Sequence, residues 1–324
     1  MKLISTYSVK IKNYNHIFKE SVEQYRSAVR FFVDVVLAEW DDVSVIQGLK
    51  SQQSFVESLT VQTTKRSAVK YDFNKQFYKM PCYLRRAAIN EAIGKVASYK
   101  SNLENWETAD KRTRGKAPAL PKVGTVYPIL YRDNMFIRLY DYTAQVKVYR
   151  NNTWDWLTVE LRKRDVDYIT HHCGSMKELC PTLQKRGKCW YLDFGFEQKV
   201  TLNQTPVDDQ KILAVDLGLN SSCVCSVMTK DGAVLERRFL KLPKEYDCLS
   251  HKIGHIKRAQ RHGSRDVSNL WMYAKGVNDA IAVKTAQFIV DIALRNNVDC
   301  IVMEHLDLQS KKRGAHKQRL AMWR

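Results

Sequence analysis

A strand-like run that ends on a carboxylate constrains this chain more than any other feature. Residues 211–218, KILAVDLG, are apolar up to Asp216 and then turn on Leu217-Gly218. Residues 221–229, SSCVCSVMT, read as a second strand, and Asp231-Gly232 reads as a two-residue hairpin turn into a third, AVLERRFLKL. On this reading Asp231 belongs to a turn. A basic helical segment, HKIGHIKRAQRHGSR, comes next, then an amphipathic helix marked by Ile281, Thr285, Phe288, Ile289, Ile292 and Ala293 and ending at Asn296-Asn297. It leads into DCIVMEHLD, a strand that stops on a second carboxylate, Glu304.

Three antiparallel strands, a helix and a strand able to run parallel to the first follow one another in the order of an RNase H-like fold. With that fourth strand beside the first, Asp216 and Glu304 emerge at the same edge of the sheet. Two carboxylates so close repel one another unless a cation lies between them. Carboxylate oxygens suit Mg²⁺ or Mn²⁺, and a pair of such ions activates water and stabilises the leaving oxygen of a phosphodiester. The expected chemistry is hydrolysis of nucleic acid, with Asp216 and Glu304 as metal ligands and catalytic residues. Gly218 and Asn220 are expected to support the tight turn and the hydrogen bonds around Asp216. The plainer alternative makes Asp216 a turn cap and Glu304 an exposed strand end.

Charge agrees with a nucleic-acid partner. The 324 residues hold 53 Lys and Arg against 34 Asp and Glu, a net charge of +19, and such a field attracts polyanions. No run approaches the roughly 20 apolar residues of a membrane span, and the N-terminus MKLISTYSVKIKNY lacks the apolar centre of a signal peptide. The expected location is therefore a bacterial-type cytosol, in association with the nucleoid and with no membrane partner. Lys252, Lys257, Arg258, Arg261 and Arg265, together with Lys311, Lys312, Arg313, Lys317 and Arg319, flank both carboxylates and are the expected phosphate contacts. A solvated face is the alternative for these runs, as it is for Arg85 and Arg86 farther upstream. His251, His255 and His262 fall in the first run without a carboxylate or cysteine at ligand spacing, so phosphate or solvent contact is expected of them.

The eight cysteines lie at irregular spacings with no CxxC pair, which predicts reduced thiols. His171, His172, Cys173, Cys180 and Cys189 fit no common zinc pattern, and packing is the expected role.

The N-terminal two thirds change period twice. Residues 2–12, KLISTYSVKIK, read as one strand. Phe18, Val22, Tyr25, Val29, Phe32, Val33, Val36 and Trp40 then recur at helical spacing. A second helix is expected from Pro81, with the stripe Leu84, Ala88, Ala92, Val96, Tyr99, Leu103 and Trp106. KRTRGKAPALPKVG, from Lys111, reads as a linker. Beyond it MFIRLYDY, QVKVYR, WDWLTVEL and CWYLDFGF alternate as strands, with a hairpin turn at Asn151-Asn152. The region from about 120 to 205 is thus expected to form a small antiparallel sheet or barrel joined by the first strand. Trp154, Trp156, Trp190 and Tyr191 are expected in its core, with base stacking as the alternative. The expected fold class is multidomain α+β. A β-barrel domain comprises residues 1–12 plus 115–210, a helical domain of residues 13–114 is inserted into it, and an RNase H-like α/β domain of residues 211–324 follows.

On DLGLN at 216–220, IVMEHLD at 301–307 and the basic segment with RHGSR between them, the chain resembles the TnpB (OrfB) family of insertion-sequence proteins, which go by the name of transposases and are related to type V CRISPR nucleases. The order of parts is also similar, since family members have a β-barrel wedge domain interrupted by a helical recognition domain and followed by a RuvC-type nuclease. The resemblance implies a transposon-encoded, RNA-guided DNA endonuclease that carries guide RNA from its own element, acts on double-stranded DNA and needs Mg²⁺. It also implies a cognate transposase as a partner. Asp216 and Glu304 fall on the first and second catalytic acids. In the family the chain continues into a zinc ribbon and a third catalytic aspartate, whereas this sequence stops at AMWR, so zinc is expected only in the part not present and cleavage by residues 1–324 is expected to be weak or absent. A nuclease-deficient RNA-guided DNA-binding protein is the alternative. An actin-like ATPase is a third reading, because DLGLNSS also resembles the first phosphate loop of that fold, but no later Gly-rich adenosine motif accompanies it.

Overall fold

The computed structural model describes residues 1–13, 16–110, 114–140, 142–202, 204–218, 221–264 and 266–304. The chain divides into two compact units, Met1–Val200 and a second that begins at Thr201. The helical block and the strands that follow it fall in the same first unit, and the second starts ahead of residue 211, where the sequence changes character.

The first unit opens with β1 (Lys2–Lys10) and continues through α1 (Ile17–Ala38), α2 (Trp40–Val45), α3 (Leu49–Thr60), α4 (Phe73–Gln76) and α5 (Cys82–Thr108). It then runs through β2 (Phe136–Arg138), β3 (Thr143–Arg150), β4 (Thr153–Glu160), α6 (Lys163–Cys173), β5 (Lys177–Glu178), β6 (Thr182–Arg186) and β7 (Cys189–Lys199). β1 pairs antiparallel with β7 along its whole length, from Lys2 opposite Lys199 to Lys10 opposite Tyr191. β5 and β6 pair with the other side of β7, while β2, β3 and β4 form a separate three-stranded sheet. A single bridge between Ile11 and Leu161 links the end of β1 to the end of β4.

The apolar stripe of α1 buries Phe18, Val22, Tyr25, Val29, Phe32, Val33 and Val36. These side chains share one continuous core with α5 and with Val146, Val148, Leu192 and Phe194 of the sheets, so the helices are packed into the β-structure. Ser21 fixes that packing from the buried face of α1. Its hydroxyl donates to Ile17 O at 3.0 Å and accepts the Tyr149 N–H of β3 at 2.8 Å. The helical stripe does not run unbroken to Trp40. The chain leaves helical geometry at Glu39 (φ −107°, ψ 22°), whose carboxylate accepts hydrogen bonds from Lys70 and Tyr71, both at 2.6 Å.

Asn151 and Asn152, at φ +50° and +57°, make the two-residue β3–β4 turn that their sequence predicts. Trp190 is 2 % exposed against Phe18, in accord with a core role, whereas Trp154 and Trp156 are half-buried. One element in this region departs from an all-strand reading. Residues 163–173 form α6, with Ile169 and Cys173 buried. Asp165 ties it to β1 by accepting the Lys10 N–H at 2.9 Å, and Arg162 donates to the same carboxylate at 2.7 Å. The Val166, Ile169, Cys173 spacing of three and four is a helical signal that the flanking strands overshadow.

The second unit contains β8 (Ile212–Asp216), β9 (Cys223–Met228), β10 (Val234–Leu240), α7 (Pro243–Arg261), α8 (Ser268–Arg295) and β11 (Cys300–Met303). Its sheet has the order β10-β9-β8-β11. β11 is parallel to β8 and the other pairs are antiparallel. Leu213, Val215, Cys223, Cys225 and Val227 pack beneath Ile289 and Ile292 of α8, so one face of the sheet is covered. The N-terminal part of α8 leaves the sheet and pairs with α7 around Leu249, Ile256, Ala274 and Ile281.

The β9–β10 connection corrects the two-residue turn expected at Asp231-Gly232. Gly232 N donates to Thr229 O at 3.0 Å, and Thr229 N to Ala233 O at 3.0 Å, so the loop spans Lys230, Asp231 and Gly232. Of these only Gly232 has positive φ, +82°, whereas a two-residue type I′ turn requires it at both central positions.

Candidate metal centre and nucleic-acid interface

Asp216 is the last residue of β8 and lies opposite Val224 of β9. Along β8, Leu213 and Val215 point into the α8-covered core, and the period of two therefore turns Asp216 to the open face, where it is exposed. In the parallel pair, Val215 is opposite Met303, so the next rung places Glu304 beside Asp216. Neighbouring strands lie ~4.8 Å apart, which puts the two carboxylates at one edge of the sheet on adjacent backbones. Both are exposed, and among the described residues neither pairs with a cationic side chain.

The other end of the same strand pair sets this alignment. Asp299, immediately before β11, accepts the Lys211 N–H at 2.9 Å through one carboxylate oxygen and the Thr205 hydroxyl at 2.7 Å through the other. Its own N–H donates to Lys211 O at 3.0 Å. The chain reaches Asp299 through a helix end built on Asn296 and Asn297: Asn297 takes a left-handed φ of +49°, and Val298 N donates back to Ala293 O at 2.9 Å. Asp299 is therefore a positioning residue for the register, and the sequence offers it only as one polar residue after a helix C-terminus.

Gly218 follows Asp216 by two residues. A Cβ there would stand 2.9 Å from Ser221 O, a backbone atom that cannot swing aside, so the turn requires glycine for space. Asn220 lies outside the described residues, as do Arg265 and the run Lys311, Lys312, Arg313, Lys317 and Arg319.

Of the basic residues singled out in the sequence, four lie on α7. Leu249 and Ile256 face its core, and the opposite face gathers Ser250, His251, Gly254, Lys257, Arg258 and Arg261, with one carboxylate, Asp247, around a shallow concavity of about 450 Å³. Among the described residues no carboxylate pairs with Lys257, Arg258 or Arg261. Lys252 is half-buried, with its ammonium 5.7 Å from the centre of the Tyr273 ring. Arg85 and Arg86, in the first unit, both bind Glu57, at 3.1 and 3.2 Å, and the Arg85 side chain is only 15 % exposed. Their guanidinium groups are committed to holding α5 on α3.

A divalent cation suits the donor set at the strand ends. Two carboxylates without a cationic partner are what Mg²⁺ or Mn²⁺ uses when water and phosphate oxygens complete its shell. Among the described residues no three His, Cys, Asp or Glu side chains cluster as a ready-made metal site. His171 and His172 lie exposed on α6 with rings 4.9 Å apart, and Cys173 beside them is buried. No helix among the described residues is long and apolar enough to cross a membrane.

Comparison with known proteins finds relatives of part of the chain and a fold for nearly all of it. The Aq_aa04 family matches residues 5–150. An uncharacterized protein, aq_aa04, of Aquifex aeolicus (strain VF5) is 29 % identical over 121 residues, covering 34 % of this chain and 68 % of that protein. Among solved structures, a Cas12f1–sgRNA–target DNA complex aligns with a TM-score of 0.51 at 12 % identity, over 94 % of this chain and 69 % of that one. A CRISPR–Cas12f ternary complex covers 92 % of this chain and 63 % of that one at a TM-score of 0.27 and 13 % identity. The first of these solved structures shows what the chain is built like: a mixed α/β architecture with several antiparallel sheets, similar in fold to Cas12f1.

Proposed function

We propose that this protein is an RNA-guided, TnpB-like effector acting on DNA. In this reading the second unit is an RNase H-like, RuvC-type centre whose Asp216 and Glu304 hold Mg²⁺ or Mn²⁺ for phosphodiester hydrolysis. The first unit combines the wedge-type sheet and helical recognition parts, and guide RNA from the protein's own element and double-stranded DNA are its partners. The observation that carries the proposal is the pairing of β11 beside and parallel to β8, which brings Asp216 and Glu304 onto neighbouring strand ends. Likeness of fold to a protein solved with guide RNA and target DNA supports it, as does the net charge of +19. The basic face of α7, in the same unit as the carboxylates and with Lys257, Arg258 and Arg261 in no salt bridge among the described residues, supports phosphate contact there.

When bound, the metal would activate water and stabilise the leaving oxygen. The chain's contribution is to hold the two carboxylates in register, through the Asp299 clip, and to leave them open to a phosphate. Titration with Mn²⁺ followed by electron paramagnetic resonance tests the centre directly. Wild type should bind Mn²⁺, and Asp216→Ala or Glu304→Ala should each weaken binding at least tenfold. Binding unchanged in both variants would remove the carboxylates from any metal centre. RNA copurified with the chain and sequenced should include a discrete species from the end of its element, and its absence would overturn the guided part of the reading. Nicking of DNA by the purified, guide-loaded chain with Mg²⁺, abolished by Asp216→Ala, separates a nuclease from a guided DNA-binding protein.

A further inference from the structure

Beside the two carboxylates the second unit has a small apolar cavity of about 210 Å³. Leu217, the residue after Asp216, and Met303, the residue before Glu304, form one wall. Ile281, Thr285 and Ile289 of α8 form the floor, and Ala282 and Ala286, both exposed, stand at its mouth. Four polar groups interrupt the apolar lining, one of them the Thr285 hydroxyl, which donates to Ile281 O at 2.9 Å. Ser222, 2 % exposed, donates from its hydroxyl to the Tyr246 hydroxyl at 3.3 Å. The half-buried Asn278 presents an amide that makes no hydrogen bond among the described residues.

Size and chemistry together narrow the occupant. At about 210 Å³ the cavity is well below the ~300–1,000 Å³ of sites that enclose a whole drug-sized ligand. That size suits one planar ring system, with the rest of a nucleotide outside the mouth. Apolar walls that meet ring faces, with an amide and hydroxyls at the edge, are how proteins hold an unstacked base. Charge supplies the rest. Tyr246 belongs to α7, the helix whose outer face carries Lys257, Arg258 and Arg261, and Leu217 and Met303 of the same lining are the chain neighbours of Asp216 and Glu304. Leu217 and Met303 reach the α8 face while their neighbours Asp216 and Glu304 turn to the open one, so a strand with a phosphate at the carboxylates would meet the cavity by rounding the two strand ends.

We propose that this cavity seats a single nucleobase of the strand whose phosphate lies at Asp216 and Glu304. The inference rests on the proposed function of those two residues, and it adds a base subsite that positions the strand next to the metal centre. Because the polar groups of the pocket among the described residues are one unpaired amide, a hydroxyl pair and the Thr285 hydroxyl, it holds a base with weak sequence preference.

The test uses the full chain and fluorescein-labelled single-stranded DNA in two forms, an intact oligonucleotide and the same oligonucleotide carrying abasic sites throughout. A seated base is worth ~1–3 kcal/mol, or about 5- to 150-fold in Kd. Wild type should therefore bind the intact strand more tightly than the abasic one by a factor in that range. Ala286→Trp fills the cavity from its mouth and should abolish most of that preference while leaving affinity for the abasic strand unchanged. Val283→Trp, on an exposed neighbouring position of α8 outside the cavity, is the control and should leave the preference intact. Should Ala286→Trp fail to fold, Asn278→Ala reads the same subsite by a loss of a few fold in preference. Full preference retained by the folded cavity variants overturns the proposal. Failure of the metal reading is separately visible: Mn²⁺ binding would be indifferent to Asp216→Ala while the Ala286→Trp effect on base preference persisted.

Discussion

Replacing Asp299 by alanine should free β11 from the sheet without unfolding the unit around it. The substitution removes at least the two hydrogen bonds that the carboxylate accepts from the Thr205 hydroxyl and the Lys211 N–H, at 2.7 and 2.9 Å. Bonds to charged groups are worth ~1.5–3 kcal/mol each. The site is half-buried, and the released Lys211 N–H, on an exposed residue, regains water, so the lower end applies and the expected loss is about 3 kcal/mol. Little else resists it. Ile301, Val302 and Met303 are 43–49 % exposed, so β11 is held mainly by its four-residue ladder to β8 and little by burial. Native-state hydrogen exchange resolved to single amides is the assay. At ~1.4 kcal/mol per tenfold, exchange in β11 should quicken about 100-fold, while the amides of Cys225 and Val227 in β9 keep their rates. Asp299→Asn, which retains an acceptor, should show a smaller effect. Mn²⁺ affinity should fall with the alanine variant, because Glu304 loses its fixed place beside Asp216. Unchanged protection across residues 300–303, or an equal rise throughout β8 and β9, would refute the claim that Asp299 sets the register locally.

Other consequences are open to simpler measurements. Burial, with Cys225 beside it, pushes the Cys223 thiol up to about 12, and burial raises Cys225 as well, so neither should react with a maleimide at neutral pH, while exposed Cys82, Cys248 and Cys300 label readily by mass spectrometry. An unfolded thiol titrates near 8.5, so the stability carried by the protonated Cys223 is complete below about that pH and is lost as pH climbs towards 12, which denaturant melts across that range will show. Gly218→Ala meets a backbone oxygen at 2.9 Å and should cost ~1–3 kcal/mol in urea unfolding, with weaker Mn²⁺ binding; an alanine variant as stable as wild type would deny the close approach. Changing Lys257, Arg258 and Arg261 together to glutamine should flatten the salt dependence of single-strand binding by about 0.7 for each phosphate no longer neutralised, and an unaltered slope would remove α7 from the interface.

Much of the architecture is legible in hydrophobic period. The stripe of α1, the type I′ turn at Asn151-Asn152 and the strand ending at Asp216 all rest on interactions between residues close in sequence, which local patterns record. The pairing of β11 beside β8 follows from element order, because a helix joining two strands favours parallel neighbours. α6 is hard to distinguish in the sequence, since its eleven residues carry a modest apolar spacing between strong strands. The β9–β10 loop is one residue longer than its Asp-Gly pair suggests, because only the backbone angles at Lys230-Asp231 separate a three-residue loop from a type I′ turn. Arg85 resembles any basic residue on a helix face until folding brings Glu57 of another helix beside it.

By itself the sequence determined where most strands and helices form, that one strand ends on Asp216 and another just before Glu304, and that the chain carries strong positive charge. These are properties of short windows and of composition. Only the tertiary structure decided that Asp299 sets the register of the two strand ends, that among the described residues Lys257, Arg258 and Arg261 meet no carboxylate partner while Arg85 and Arg86 bind Glu57, and that Leu217, Tyr246, Asn278 and Met303 line one cavity. The physical reason is range. A hydrogen bond or a cavity wall between residues tens of positions apart exists only after the chain has folded, and no local pattern encodes which distant partner will arrive.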